Sequence, residues 1–353
     1  MASSELVSRE PRACILSVAG QSLLPDEAAL LREANPWGVI LMGRSCGNPG
    51  QVRALVDSIL EATGRPTLIF IDQEGGRVRR LRPPNWPDFP AAGVYDALYE
   101  RDPELGKEAC WLGHRLMASE LEPLGIHADC APVVDLHHKG AHQIVGDRSF
   151  GATPAQVGVL AAEALRGLSD GGVAGVIKHI PGHGRAMADS HESLPVVKAG
   201  GNELMQDISA FETVRDAPMG MTAHVAFTTL DGETPATVSK KIVSEIIRKR
   251  IGFDGLLMTD DLGMRALGGS LADRGERALA AGVDVLLHCS GFIKAPEEIL
   301  KEMAEVAEAS PQLSGESLRR ARIAERATLN FKPFDRAEGW DRFRELTGAA
   351  KVG

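Results

Sequence analysis

One pattern repeats along the whole chain: a short apolar or β-branched run, a polar loop rich in turn-formers, then a longer stretch with helical spacing of apolar residues. Eight such runs occur, at 13–18, 37–42, 67–71, 127–134, 173–177, 219–225, 255–258 and 283–288. Helix-like segments lie between them at 25–34, 49–62, 105–121, 153–168, 202–214, 238–250 and 272–281. Alternation of this kind argues for parallel strands, because a chain returns to the same direction only through a crossover, which the helices supply. The first loop, Ala19-Gly20-Gln21-Ser22, lacks the glycine spacing of a dinucleotide-binding turn. Eight units within roughly 310 residues therefore predict an α/β fold of the closed (β/α)8 TIM-barrel type rather than an open doubly wound sheet. No linker rich in Pro, Gly and Ser divides the 353 residues. A single domain over 1–353 is expected, with an outer helix and tail from about 311–353 that carry no chemistry.

Composition narrows the partners. Apolar residues make up 44% and charged residues 25% of the chain, an ordinary globular balance, and the net charge is -9. An acidic surface of that size disfavours nucleic acid, which selects basic footprints. Residues 1–12 contain no apolar run of secretory length, and no stretch resembles a membrane span, so a cytoplasmic chain without membrane attachment is expected. The five cysteines are odd in number and widely spaced, which fits reduced thiols rather than disulfides.

A barrel places its chemistry at the C-terminal ends of its strands. Polar residues collect there: Asp72 after the third run, Asp135 after the fourth, Lys178 and His179 after the fifth, His224 at the end of the sixth, Asp260 and Asp261 after the seventh, and His288 at the end of the eighth. The densest segment is Lys178-His179-Ile180-Pro181-Gly182-His183-Gly184, followed by Asp189-Ser190-His191. Pro181 and the two glycines forbid a smooth continuation into helix.

Asp260 stands on a rigid strand end, suited to a nucleophile or electrostatic stabiliser; capping of the following helix is the structural alternative. Side chains alternate along an extended segment, so Asp260 and Asp261 are expected to face opposite ways, with Thr259 and Asp261 sharing a side. The same rule puts Asp189 and His191 on one side, where the carboxylate would orient and stabilise a proton-donating imidazole; a surface turn is the alternative. Asp72-Gln73-Glu74-Gly75-Gly76-Arg77-Val78-Arg79-Arg80 and Gly146-Asp147-Arg148-Ser149-Phe150-Gly151 join carboxylates and arginines to flexible glycines, which suits hydroxyl and anion recognition.

These segments, in this order, resemble the bacterial β-N-acetylhexosaminidases of glycoside hydrolase family three, the type that works in peptidoglycan recycling. The resemblance also rests on Met221-Thr222-Ala223-His224 and Thr259-Asp260-Asp261-Leu262-Gly263-Met264 and spans almost the whole barrel. It implies a retaining enzyme that removes terminal β-linked N-acetylglucosamine from small muropeptides or disaccharides, with no cofactor and no metal. By the resemblance Asp260 is the nucleophile, His191 the acid/base and Asp189 its partner, and Asp72, Arg80, Arg148, Lys178 and His179 bind the sugar. The family more often has Phe at the position of Ile180 and Ser at that of Gly263. The competing reading is a metal-dependent barrel hydrolase using His179, His183, His191, His224, His288 and Asp260. Against it, the first run ends without an H-x-H pair and no H-E-x-x-H helix occurs.

Overall fold

A computed structural model describes residues 10–190, 192–291 and 295–348. Eight parallel strands close into a barrel: β1 (Arg12–Ser17), β2 (Pro36–Leu41), β3 (Leu68–Ile71), β4 (Ala128–Asp129), β5 (Ala174–Ile180), β6 (Met219–Thr222), β7 (Leu256–Asp261) and β8 (Val285–Leu287). Each pairs with its sequence neighbours, and β1 pairs with β8 through Cys14 opposite Leu286. The fold is thus a single-domain (β/α)8 barrel.

Alternation along each strand explains why the runs read as continuously apolar. Ala13, Ile15, Ile40, Phe70, Val176, Met219, Met258 and Val285 fill the barrel interior. Their neighbours Cys14, Leu16, Val39, Ile69, Ile71, Ile177, Leu257 and Leu286 face the surrounding helices. Both faces are buried, as a parallel barrel requires.

The helices begin where local chemistry tells them to. Asn48, Asp102 and Thr153 each cap a helix with a side-chain oxygen on a backbone N–H, and each is followed by proline at the first helical position. Ser270 caps Leu271–Ala281 in the same way. The crossover after β6 differs, because Ile242–Ile251 is wound as a π-helix.

Two helices follow the barrel units near the C-terminus. Gly315–Ala327 runs across the N-terminal mouth: Ala321 and Ala324 join the barrel's interior cluster, and Glu325 accepts the Trp37 indole N–H at 2.8 Å. Arg336–Thr347 packs on Pro103–Leu121, burying Phe343 beside Tyr95 and stacking Trp340 on Phe89 with ring centroids 5.4 Å apart. All five cysteines are free thiols. Among the described residues no helix is long and apolar enough to cross a membrane.

Candidate active site

At the C-terminal mouth of the barrel, Asp72, Arg80, Arg148, Lys178, His179 and Asp260 line one cavity of about 320 Å³ together with Glu74. Their convergence starts with a turn. After β3 the chain folds back as a short antiparallel ladder, Gln73–Gly75 against Val78–Arg79, through Gly75 at φ 92° and Gly76 at φ 55°. A Cβ on Gly75 would stand 2.3 Å from the Pro90 carbonyl oxygen, so only glycine fits. The turn is held by Gln73, whose Oε1 accepts the backbone N–H groups of Arg80 and Leu81. It delivers Arg80 back to Asp72, with Nη2 2.7 Å from Oδ2.

Five charges then alternate across the cavity wall. Lys178 Nζ lies 3.2 Å from Asp72 Oδ1 and 2.6 Å from Glu74 Oε1. Arg148 grips Glu74 with two hydrogen bonds of 2.7 Å. Burial alone would push both carboxyls up, but the neighbouring cations win. Lys178 and Arg80 hold Asp72 well below the usual carboxylate range, and Arg148 and Lys178 hold Glu74 down to about 2. Burial likewise opposes the charge on Lys178, yet Glu74 and Asp72 raise its pKa. Three cations against two carboxylates leave the wall slightly positive, with guanidinium and ammonium donors fixed in place for sugar oxygens.

Asp260 stands across the cavity near the end of β7, with Oδ1 accepting the N–H of Asp261 at 2.8 Å and its side chain 17% exposed. Asp261, though it touches the cavity, is committed elsewhere: its Oδ1 accepts the N–H groups of Gly263 at 2.9 Å and Cys289 at 3.0 Å, tying β7 to the end of β8. Thr259 Oγ1 likewise accepts the Leu287 N–H at 2.9 Å.

Lys178 and His179 belong to β5 itself, which runs on to Ile180, whereas the sequence suggests a strand stopping at 177. The pairing with β6 shifts register between Lys178 and Ile180, and the Lys178–His179 peptide is cis. Both side chains face the cavity. His179 Nδ1 lies 2.6 Å from Asp135 Oδ2, and Nε2 lies 4.0 Å from Asp260 Oδ2. Burial, and then His179, lower the His183 pKa to about 4, leaving it neutral beside Ser190 with Nε2 and Oγ 3.2 Å apart. Ser190 is itself fastened to Ala266, whose N–H donates to the Ser190 carbonyl oxygen. The Asp189 carbonyl oxygen accepts the N–H groups of Glu192 and Ser193, closing a turn. His191 lies outside the described residues.

The Glycosyl hydrolase family 3 N terminal domain model matches residues 16–324. The chain belongs to that family. A β-hexosaminidase of Alkalilimnicola ehrlichii is 38% identical over 281 residues, covering 78% of this chain and 80% of that one. A β-hexosaminidase of Pasteurella multocida is 32% identical over 348 residues, 95% of both. The crystal structure of NagZ from Neisseria gonorrhoeae in complex with N-trifluoroacetyl-D-glucosamine superposes with a TM-score of 0.83 at 27% identity, over 96% of this chain and 99% of that one. The family 3 chain described here is accordingly a glycoside hydrolase of the β-N-acetylhexosaminidase type.

Two histidines that sequence places on the rim serve the scaffold instead. His224 is fully buried between Thr237 Oγ1 at 2.7 Å and the Asp261 carbonyl oxygen at 3.1 Å. His288 is fully buried against Glu302 at 2.9 Å and Ser290 at 2.6 Å. Both His224 nitrogens and His288 Nε2 are taken up by the protein, and among the described residues no three His, Cys, Asp or Glu side chains group as ligands for one metal ion. Conversely, Glu74 and Asp135 receive no role from sequence reasoning, although both anchor cavity residues. Their signal was weak because each appears as one carboxylate in a polar loop; only the three-dimensional crossing of loops reveals what each one holds.

Proposed function

We propose that this family 3 enzyme is an exo-acting retaining β-N-acetylglucosaminidase. Its expected substrates are terminal β-linked N-acetylglucosamine residues of small cytosolic peptidoglycan fragments such as N-acetylglucosaminyl-anhydromuramic disaccharides and muropeptides. The observation that carries the reading is the single cavity in which Asp260 faces the Asp72, Arg80, Lys178, Glu74 and Arg148 network. A pocket of about 320 Å³ at the barrel mouth suits one terminal sugar ring.

In this reading Asp72, Arg80, Arg148, Lys178 and His179 hold the sugar with its anomeric carbon presented to Asp260. The Asp260 carboxylate attacks that carbon through an oxocarbenium-like transition state as His191, oriented by Asp189, gives a proton to the departing glycosidic oxygen. The C–O bond to the aglycone breaks and an ester bond to Asp260 forms. Water then attacks the same carbon, His191 takes its proton, and Asp260 leaves as carboxylate, so the β configuration is retained. The roles of His191 and Asp189 rest on the resemblance of the Asp189-Ser190-His191 segment.

The reading is tested by nitrophenol release from the β-N-acetylglucosaminide and the β-glucoside in parallel, with a chelator present. The acetamido sugar alone is cleaved, and Asp260→Ala loses essentially all turnover. Turnover surviving in Asp260→Ala overturns the nucleophile assignment, and chelator-sensitive activity revives the metal-dependent reading.

A further inference from the structure

Asp135 is fully buried at the end of the segment that follows β4, and its carboxylate contacts the end of β5 and the loop that leaves it. Oδ1 accepts the backbone N–H of His183 at 2.6 Å and of His179 at 3.2 Å; Oδ2 faces His179 Nδ1 at 2.6 Å. Burial opposes its charge, but His179 and His183 keep its pKa below the ordinary value, so it acts as an acceptor only. A proton shared with an acceptor-only group must be supplied by the ring, which assigns it to Nδ1. Nε2 is then the nitrogen that points at the cavity, 4.0 Å from Asp260 Oδ2. That gap is too long for a direct hydrogen bond, and it leaves Nε2 free to accept the proton of a sugar hydroxyl held beside Asp260 at about 2.8 Å.

We propose that Asp135 is a positioning residue for the reaction, fixing the His179 tautomer and ring plane so that Nε2 addresses the sugar beside Asp260. The inference rests on the reading of Asp260 as nucleophile and adds a residue that acts only through His179. Asparagine is the informative replacement. Its Oδ1 still accepts the two backbone N–H groups, so the tip of β5 keeps its anchor. Its Nδ2, a donor, turns His179 Nδ1 into an acceptor and moves the ring proton to Nε2, the inversion that costs other carboxylate–histidine pairs orders of magnitude in rate.

The experiment is a double-mutant cycle on the full chain with Asp135→Asn, His179→Ala and the pair, read as kcat/KM on the nitrophenyl N-acetylglucosaminide, together with NMR of the ring protons. Asp135→Asn is expected to lower kcat/KM about 100-fold with an unchanged fold, and the pair to be no slower than His179→Ala alone within about 2-fold. A strongly downfield ring-proton resonance, absent in His179→Ala, should vanish in Asp135→Asn. Additive losses, or a downfield proton that survives Asp135→Asn, overturn the proposal. Its failure is separable from failure of the glycosidase reading: the latter shows as a wild type without N-acetylglucosaminidase activity, and the resonance then still decides whether Asp135 sets the tautomer.

Discussion

Burying Lys178 and Arg148 in the wall of a sugar pocket costs several kcal/mol per ion unless carboxylates answer them, and Glu74 answers both. Its own carboxyl gains from the pairing. In an unfolded chain a glutamate titrates near 4.3, whereas Glu74 in the fold titrates at about 2. The pairing therefore stabilises the fold fully above the unfolded value. As pH falls toward 2 the unfolded chain takes up the proton first, and a contribution on the order of 3 kcal/mol disappears. Glu74→Gln lacks that titration. Denaturant titrations between pH 6 and pH 3 should find Glu74→Gln less stable than the wild type at pH 6, with the gap narrowing on acidification. A gap that stays constant with pH contradicts the ion-pair account. Asp72, Arg80 and Arg148 stand out in the sequence but Glu74 does not, because its partners lie 74 and 104 positions downstream, one in a loop and the other on β5.

The strands and most crossover helices were legible because their signals are local: apolar runs bounded by turn-formers, and Asn-Pro, Asp-Pro and Thr-Pro at helix starts. Boundaries were less so. The run at 127–134 supplies a ladder only at Ala128–Asp129, since Pro132 has no N–H to donate, and Val133 returns to pair with Lys178 as an isolated bridge. The helix Ala92–Arg101 gives no such local signal, since it follows prolines at 83, 84, 87 and 90 and has a glycine at its second position. The turn after β3 is the element on which the site's geometry depends most. Gly75→Ala combines a left-handed backbone with a 2.3 Å approach to Pro90 O. It should cost about 1–3 kcal/mol, lowering Tm by roughly 1–4 °C, and should weaken catalysis further by shifting Asp72, Glu74 and Arg80. Gly64→Ala, also at positive φ but with open space around it, supplies the comparison: strain without collision and without loss of activity. Equal losses of activity in both variants would contradict a special role for the turn.

At the scale of the whole molecule, the barrel's two ends do different work. The N-terminal mouth is closed by Gly315–Ala327, and the charged and catalytic candidates gather at the other mouth. The C-terminal helix Arg336–Thr347 reaches the site only through packing: Trp340 stacks on Phe89, whose carbonyl oxygen accepts the Gly76 N–H and so steadies the turn that carries Asp72 and Arg80. Barrel, rim and family were readable from sequence because closed parallel sheets put chemistry where strands end. The chemical roles are a different matter, since a role depends on what faces each residue when the sugar is bound. The most direct test is to incubate the enzyme with a 5-fluoro N-acetylglucosaminyl fluoride, which slows the second step, and to map the labelled peptide by mass spectrometry. The account predicts one covalent sugar per chain, esterified to Asp260 and absent from Asp260→Ala. A sugar attached to any other residue, or full turnover of substrate with no covalent sugar detectable, would contradict it.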